Sequence, residues 1–321
     1  METRPLGTSD IQITPIIMGT WQAGKSAWVG IEDAETIKAI RAAFEAGITT
    51  VDTAEIYGKG HSEQIVAQAL SDVRDQVVYA SKVWVGNLKH DKVIEACDRS
   101  LKNLQTDYID LYQIHWSPGT FNTEVVPIEE PMSALNKLKE QGKIRAIGVS
   151  NFSRAQLEEA AQYGKIDSLQ PPYSLFWRKV EQDAKPYCIE NNISILAYSS
   201  LAQGLLTGKF GPDHQLREGD HRAKNCLFQG DNYQRAQQAV DKLRPIAERH
   251  NCSLAQLSLA WLIAQPQTHA IAGARHEGQS SSNAKAAEVK LSQEELQEID
   301  AIGRIVTDPL DDNPVMWDWN S

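Results

Sequence analysis

Cysteine is scarce in this chain of 321 residues: four occur, at Cys97, Cys188, Cys226 and Cys252, with no Cys-x-x-Cys pair. Such spacing argues against a disulfide framework or a thiolate zinc site, and for reduced thiols in a cytoplasmic protein. Paired histidines are missing too. No His-x-His or His-Glu-x-x-His occurs, so no metal centre is expected. Basic residues are in deficit, 32 Lys and Arg against 42 Asp and Glu, for a net charge of −10. That balance argues against a nucleic-acid partner, because phosphate backbones are bound through basic patches. No apolar run reaches the roughly eighteen residues of a membrane-crossing helix. The opening METRPLGTSD lacks the apolar stretch of a secretory leader. Linkers and shifts in composition are absent as well, so residues 1–321 are expected to form one domain. Nothing in the sequence marks an oligomeric state.

What the chain does have is a regular alternation of short β-branched runs with longer helical patterns. RPLGTSDIQI reads as a hairpin with Gly7 and Asp10 near its turn. Strand-like runs follow: IIMG, TTVD, VVYAS, YIDLYQI, IRAIGVS, SLQPPY, SILAY and HAIAGA. Asp33 is expected to cap the first helix, whose apolar stripe is Ile37, Ile40 and Phe44 and whose stop is Gly47. Further helices are predicted from about Ser62 to Leu70, near 91–104, from about Ile128 to Gln141, over SRAQLEEAAQYG, near 179–191 and from about Gly278. Strict alternation argues for a parallel sheet. Eight units in about 300 residues fit a closed (β/α)8 TIM barrel better than an open sheet. Trp261, in SLAQLSLAWLIAQP, reads as helix core. Two stretches fall outside the repeat: a Gly- and charge-rich excursion at 204–231 and a tail at 306–321 bearing Trp317 and Trp319.

Four residues stand at the ends of these runs. Asp52 closes GITTVD, Tyr57 lies in the loop after it, Lys82 closes VVYASK and His115 closes YIDLYQIH. Singly, each has a structural reading: a cap, a wedged aromatic, a solvated ammonium, a core histidine. Jointly they fit one catalytic cluster, because a barrel gathers the carboxyl ends of its strands into one site. Reducing a carbonyl with a hydride donor needs a proton for the developing alkoxide, and Tyr57 could supply it. A free phenol has a pKa of about 10. Lys82 beside it is expected to lower that value, and two units would take roughly 2.7 kcal/mol. Asp52 would hold Lys82 charged, and His115 would orient the carbonyl or share the proton.

GTWQAGKS, from Gly19 to Ser26, matches the phosphate-binding P-loop expression letter for letter. Its context opposes that reading. A P-loop opens directly into a helix, whereas Gly30 interrupts and the helical pattern begins near Asp33. GKGHSE, from Gly58 to Glu63, starts like a dinucleotide fingerprint but has Glu at the third glycine.

The chain resembles the aldo-keto reductase family, in the bacterial branch related to potassium-channel β subunits. The resemblance spans nearly the whole sequence. It rests on GTWQAG, GITTVDTAEIYGKGHSEQIVAQAL, SLKNLQTDYIDLYQIHW, GKIRAIGVSNF, AYSSLAQGLLTGK and IAGARHEGQSSSN. It implies a (β/α)8 barrel that binds NADP(H) and reduces aldehydes and ketones to alcohols, reversibly. Asp52, Tyr57, Lys82 and His115 match the family's catalytic tetrad. Thr20 and Trp21 would border the nicotinamide end, Ser150, Asn151 and Gln170 would contact its carboxamide, and Tyr198 would stack on the ring. Ser199, Leu201, Gln203 and Gly204 resemble the pyrophosphate loop, with Lys209 and Arg222 near the phosphates. Gly273, Ala274, Arg275, Gln279 and Asn283 resemble the adenosine end, where Arg275 would pair a 2′-phosphate. Ser200 stands where the family usually has proline. Trp21, Trp84 and Trp116, with Trp317 or Trp319, could wall the pocket for a small-molecule carbonyl substrate. The same branch suggests a second reading, a regulatory barrel that holds NADPH and turns over slowly.

Overall fold

A computed structural model describes residues 1–25, 28–216, 218–313 and 315–316. The expected hairpin pairs β1 (Arg4–Pro5) with β2 (Gln12–Ile13). Eight parallel strands then close a barrel in chain order: β3 (Ile16–Gly19), β4 (Thr50–Asp52), β5 (Val78–Val83), β6 (Ile109–Ile114), β7 (Ile144–Ser150), β8 (Ser168–Gln170), β9 (Ser194–Ala197) and β10 (Thr268–Gly273). The seam forms where β10 pairs with β3, from Ala270 opposite Ile16 to Gly273 opposite Gly19. These strands are buried on both faces, which is why most read as near-continuous apolar runs rather than alternating ones.

Register decides what the strand ends share. Gly19 lies opposite Asp52, Asp52 opposite Ala80, Lys82 opposite Gln113 and Ser150 opposite Gln170. One rim of the barrel therefore carries the polar residues. The other rim is plugged by the hairpin, whose Leu6, Ile11 and Ile13 pack with Ile17, Leu111 and Leu196 of the barrel interior. Gly7 makes the plug possible. Its φ is +56°, and a Cβ there would sit 2.5 Å from the Asp167 carbonyl oxygen.

The helices are α1 (Asp33–Glu45), α2 (His61–Leu70), α3 (His90–Leu104), α4 (Glu129–Glu140), α5 (Arg154–Ala160), α6 (Ala184–Glu190), α7 (Gly230–Arg249), α8 (Leu254–Ile263), α9 (Glu277–Ala284) and α10 (Gln293–Thr307). Two expectations need correcting. Asp33 does not cap α1: it is the first helical residue, and its carboxylate pairs with His61 Nε2 and Lys25 Nζ, each at 2.9 Å. The segment near 179–191 is a 3-10 turn, Lys179–Glu181, followed by the shorter α6. Trp261 is fully buried in α8, as its pattern required. Among the described residues of the 204–231 excursion, short 3-10 turns span Ala202–Thr207, His221–Lys224 and Cys226–Phe228, and α7 begins at Gly230. Trp317 and Trp319 lie outside the described residues. Among the described residues no helix is long and apolar enough to cross a membrane, and no cluster of metal-ligating side chains occurs.

Candidate active site

The four strand-end residues meet at the polar rim. Asp52 ends β4, Lys82 lies near the end of β5, and His115 follows β6 with its N–H donating to the Val83 carbonyl at 3.0 Å. Tyr57 sits in a tight loop after β4, its N–H donating to the Ala54 carbonyl at 3.1 Å. Gly24 closes on that loop from the first strand–helix connection. A Cβ at Gly24 would lie 2.6 Å from the Tyr57 carbonyl carbon, so only glycine permits this approach.

Lys82 Nζ has three acceptors for its three protons: Asp52 Oδ1 at 2.6 Å, the Thr53 carbonyl at 2.8 Å and Tyr57 Oη at 3.5 Å. The side chain is wholly buried. Asp52 Oδ2 accepts from Gln170 Nε2 at 2.8 Å. The His115 ring meets Tyr57 edge-on at 5.6 Å and Trp84 edge-on at 5.4 Å. Its Nδ1 is buried with no hydrogen-bond partner among the described residues.

Burial dominates the protonation of this group. It pushes the Tyr57 phenol well above its ordinary value, and the Asp52 charge adds to the rise. It draws the Lys82 ammonium down, while Asp52 pulls it back up. It holds His115 well below the ordinary imidazole value, with Lys82 acting in the same direction. The expected depression of the Tyr57 pKa by Lys82 is therefore corrected. Desolvation of the phenol outweighs the ammonium 3.5 Å away, which Asp52 also engages at 2.6 Å, and the Asp52 charge raises the phenol further. The phenol stays protonated and the imidazole neutral at physiological pH.

Tyr57, His115 and Asp52 line a cavity of about 1000 Å³, and Lys82 stands behind them without reaching it. Every other described residue singled out from the sequence as a cofactor or pocket residue lines the same cavity, Trp317 and Trp319 lying outside the described residues. Thr20 is fixed by hydroxyl contacts to Ser62 and the Asp52 carbonyl. Ser150, Asn151, Gln170 and Tyr198 are bonded to one another. Ser150 Oγ donates to the Gln170 carbonyl at 2.8 Å, and Tyr198 Oη donates to Asn151 Oδ1 at 2.8 Å. Ser199, Gln203 and Gly204 all have positive φ, which folds their loop tightly beside Leu201. Ser200, in the usual proline position, donates to the Ile271 carbonyl at 2.6 Å and ties the loop to β10. Lys209 lines the cavity, and Arg222 does so while paired with Asp220. Gly273, Ala274 and Asn283 form the wall at β10 and α9. The Arg275 N–H donates to Gln279 Oε1 at 2.7 Å, and its guanidinium lies 5.3 Å from the Trp28 ring centroid.

The sequence reading missed a number of wall residues, among them Phe121, Trp28 and Gln22. Phe121 stacks on Trp84 at 5.5 Å and meets Trp116 edge-on at 5.1 Å. Trp28 packs edge-on against Trp21 at 5.3 Å and His221 at 4.6 Å. Gln22 Nε2 bridges the Gly19 and Ala274 carbonyls across the barrel seam. The only available signal was their position in strand–helix loops at the polar rim. The P-loop match dissolves here: Lys25 ends a 3-10 turn at φ 62° and pairs with Asp33 instead of facing a phosphate.

The strand ends of this barrel gather a phenol, a buried ion pair and an imidazole beside one deep cavity, and sequence comparison shows the family to which the barrel belongs. A profile of the Aldo/keto reductase family matches residues 15–304, and the chain belongs to that family. Aldo-keto reductase YhdN of Bacillus subtilis is 38% identical over 97% of this chain and 96% of its own length. The NADH-specific methylglyoxal reductase of Escherichia coli is 38% identical over 91% of this chain and 95% of its own. A solved aldo/keto reductase from Klebsiella pneumoniae, in complex with NADP and acetate, superposes with a TM-score of 0.73 at 30% identity, covering 96% and 95% of the two chains.

Proposed function

We propose that this protein is an NADPH-dependent reductase of aldehydes and ketones, with Tyr57 as general acid. The observation that carries the reading is the fully buried Lys82 ammonium, which stands behind the cavity lining and donates to Asp52, the Thr53 carbonyl and Tyr57.

The cavity suits a nicotinamide dinucleotide by its donors. Lys209 and Arg275 supply positive charge for phosphates, and Arg222, paired with Asp220, supplies directed hydrogen-bond donors. Gln203 Nε2 is a buried donor with no partner among the described residues, so it has a hydrogen bond to give a ligand. Ser150, Asn151 and Gln170 offer polar atoms for a carboxamide, and Tyr198 offers a ring face. Arg275 is the residue we assign to a 2′-phosphate. The Klebsiella relative's complex with NADP favours the same cofactor, while the Escherichia coli relative's NADH specificity makes the preference a matter for measurement. When bound, the reduced nicotinamide supplies the hydride.

The chain's own residues do the rest. Trp84, Trp116 and Phe121 wall the substrate end with apolar surface. Neutral His115 orients the carbonyl oxygen. Tyr57 gives its proton as the oxygen becomes an alkoxide. An alkoxide is far more basic than a phenolate, so transfer runs downhill even from a phenol held above its usual pKa of about 10. Lys82 then faces a phenolate at a separation that is 3.5 Å before transfer. Their attraction is roughly 5 kcal/mol at an effective dielectric of 20, before the opposing Asp52 charge is counted. Lys82 thus stabilises the product of proton transfer rather than ionising the acid beforehand. The reverse oxidation uses the same groups.

Steady-state screening of aldehydes, ketones and alcohols with NADPH, NADH and their oxidised forms tests this. Repeated turnover is expected with NADPH and simple aldehydes, reduced at least about a hundredfold in Tyr57→Phe. An undiminished Tyr57→Phe enzyme would refute the assignment of the acid. A single stoichiometric oxidation without recycling would favour the regulatory barrel.

A further inference from the structure

Arg222 lines the cavity, but one edge of its guanidinium is already taken. Asp220 Oδ1 accepts from Arg222 Nε at 2.9 Å and from the Arg222 backbone N–H at 3.1 Å, and Oδ2 accepts from Nη2 at 2.5 Å. A single carboxylate therefore caps the turn His221–Lys224 and holds the side chain that the turn carries. Both partners are only 16% exposed. The guanidinium also lies 5.2 Å from the Phe210 centroid and 5.9 Å from that of Phe228. Carboxylate and rings together leave it little rotamer freedom.

A guanidinium has two edges able to form paired hydrogen bonds: Nε with Nη2, and Nη1 with Nη2. Asp220 occupies the first. The second includes Nη1, which lies 4.0 Å from where a Cβ on Gly204 would stand, beside the loop that carries Gln203. A ligand using that edge need not displace the carboxylate. The ion pair is neutral as a unit, so it offers a phosphate directed hydrogen bonds more than long-range attraction.

We propose that Asp220 is a positioning residue for the cofactor: it braces Arg222 by one edge so that the other is preset to receive the dinucleotide pyrophosphate beside Gly204. This rests on the dinucleotide reading of the cavity given above. Presetting a long side chain removes an ordering cost that the unbraced arginine would incur on binding. The pyrophosphate is common to NADPH and NADH, so the brace serves both alike.

The test is a double-mutant cycle read by cofactor binding, with quenching of tryptophan fluorescence by NADPH and by NADH as the signal. Asp220→Ala is expected to weaken both dinucleotides about tenfold. Asp220→Asn keeps one acceptor for the turn but turns a donor towards Nη2, and about a threefold loss is expected. Arg222→Ala should cost at least as much as Asp220→Ala, and the double variant should bind no more weakly than Arg222→Ala alone. Additive losses in the double variant would reduce Asp220 to a cap of the turn and overturn the brace. Tighter binding in Asp220→Asn would show a competitor for Arg222 and would also overturn it. A loss confined to NADPH would move the contact to the 2′-phosphate and refute the pyrophosphate assignment. Because Asp220→Asn preserves the cap acceptor, a folding defect limited to Asp220→Ala leaves the cycle measurable with the asparagine variant. Failure of the wild type to bind either dinucleotide would instead strike the proposed function itself.

Discussion

Replacing Lys82 with methionine separates what the buried ion pair does for stability from what it does for chemistry. Methionine fills similar space and removes the charge. Asp52 is then left with its Oδ2 still accepting from Gln170 at 2.8 Å, but its Oδ1 loses the ammonium at 2.6 Å. Both side chains are buried, Lys82 completely and Asp52 to within 5%. Removing one partner of such a pair leaves an uncompensated buried charge, at a cost of about 3–5 kcal/mol. At roughly 2–4 °C per kcal/mol, this should lower the midpoint of thermal unfolding by on the order of 10 °C. Adding Asp52→Asn removes the stranded charge, so the double variant should recover most of that loss. Activity should not follow. Both the single and the double variant lack the cation that faces the new phenolate, and kcat for aldehyde reduction should fall at least about a hundredfold in each. Calorimetry and single-turnover reduction of a simple aldehyde read the two quantities separately. A Lys82→Met protein as stable as the wild type would refute the account of the pair as mutually dependent buried charges. A double variant that regained turnover together with stability would refute the chemical role of the ammonium.

Other expectations follow from the same geometry. Because Tyr57 is held well above the ordinary phenol value and His115 well below the ordinary imidazole value, kcat/KM for reduction should be flat from about pH 6 to about pH 9. An inflection near the ordinary histidine pKa would contradict the neutral, desolvated His115. His269 is buried, its Nδ1 donates to the Thr14 carbonyl at 3.1 Å, and burial brings its pKa down to about 4. Its folded-state value is depressed, so the stability it permits is present above the unfolded value of about 6.5 and is lost as pH falls towards 4. The loss is about 3 kcal/mol, and denaturant titrations of His269→Asn, which keeps a donor for Thr14, should show a flatter dependence over that window. Phe121→Ala removes the ring stacked on Trp84. It should raise KM for aromatic aldehydes by roughly 2–10-fold with little change for small aliphatic ones, and an equal effect on both would place Phe121 outside the substrate wall.

The parts of this protein that were legible in its sequence are those fixed by local pattern. A strand buried on both faces announces itself as an apolar run, and a polar residue closing such a run can only stand at the rim. Asp52, Lys82 and His115 were readable for that reason, and barrel closure then had to bring them together. What local pattern cannot carry is the balance of charge once the groups meet. Tyr57 beside a lysine reads as an acidified phenol. The structure reverses the sign because desolvation of the buried phenol dominates and the Asp52 charge adds to it. Asp33 failed as a cap for a related reason: a carboxylate at a helix start serves whichever partner the fold supplies, here His61 and Lys25 from other segments. The missed wall residues Trp28 and Phe121 belong to strand–helix loops, where no periodicity marks which side chain turns inward. Asp220 is the extreme case. Its chain neighbourhood shows only a charged, Gly-rich stretch, and its task becomes visible once Arg222 is seen to offer one edge to Asp220 and the other towards Gly204. In this barrel the strands fix which groups meet. The loops, through pairings that sequence order does not display, decide how each group is charged and aimed.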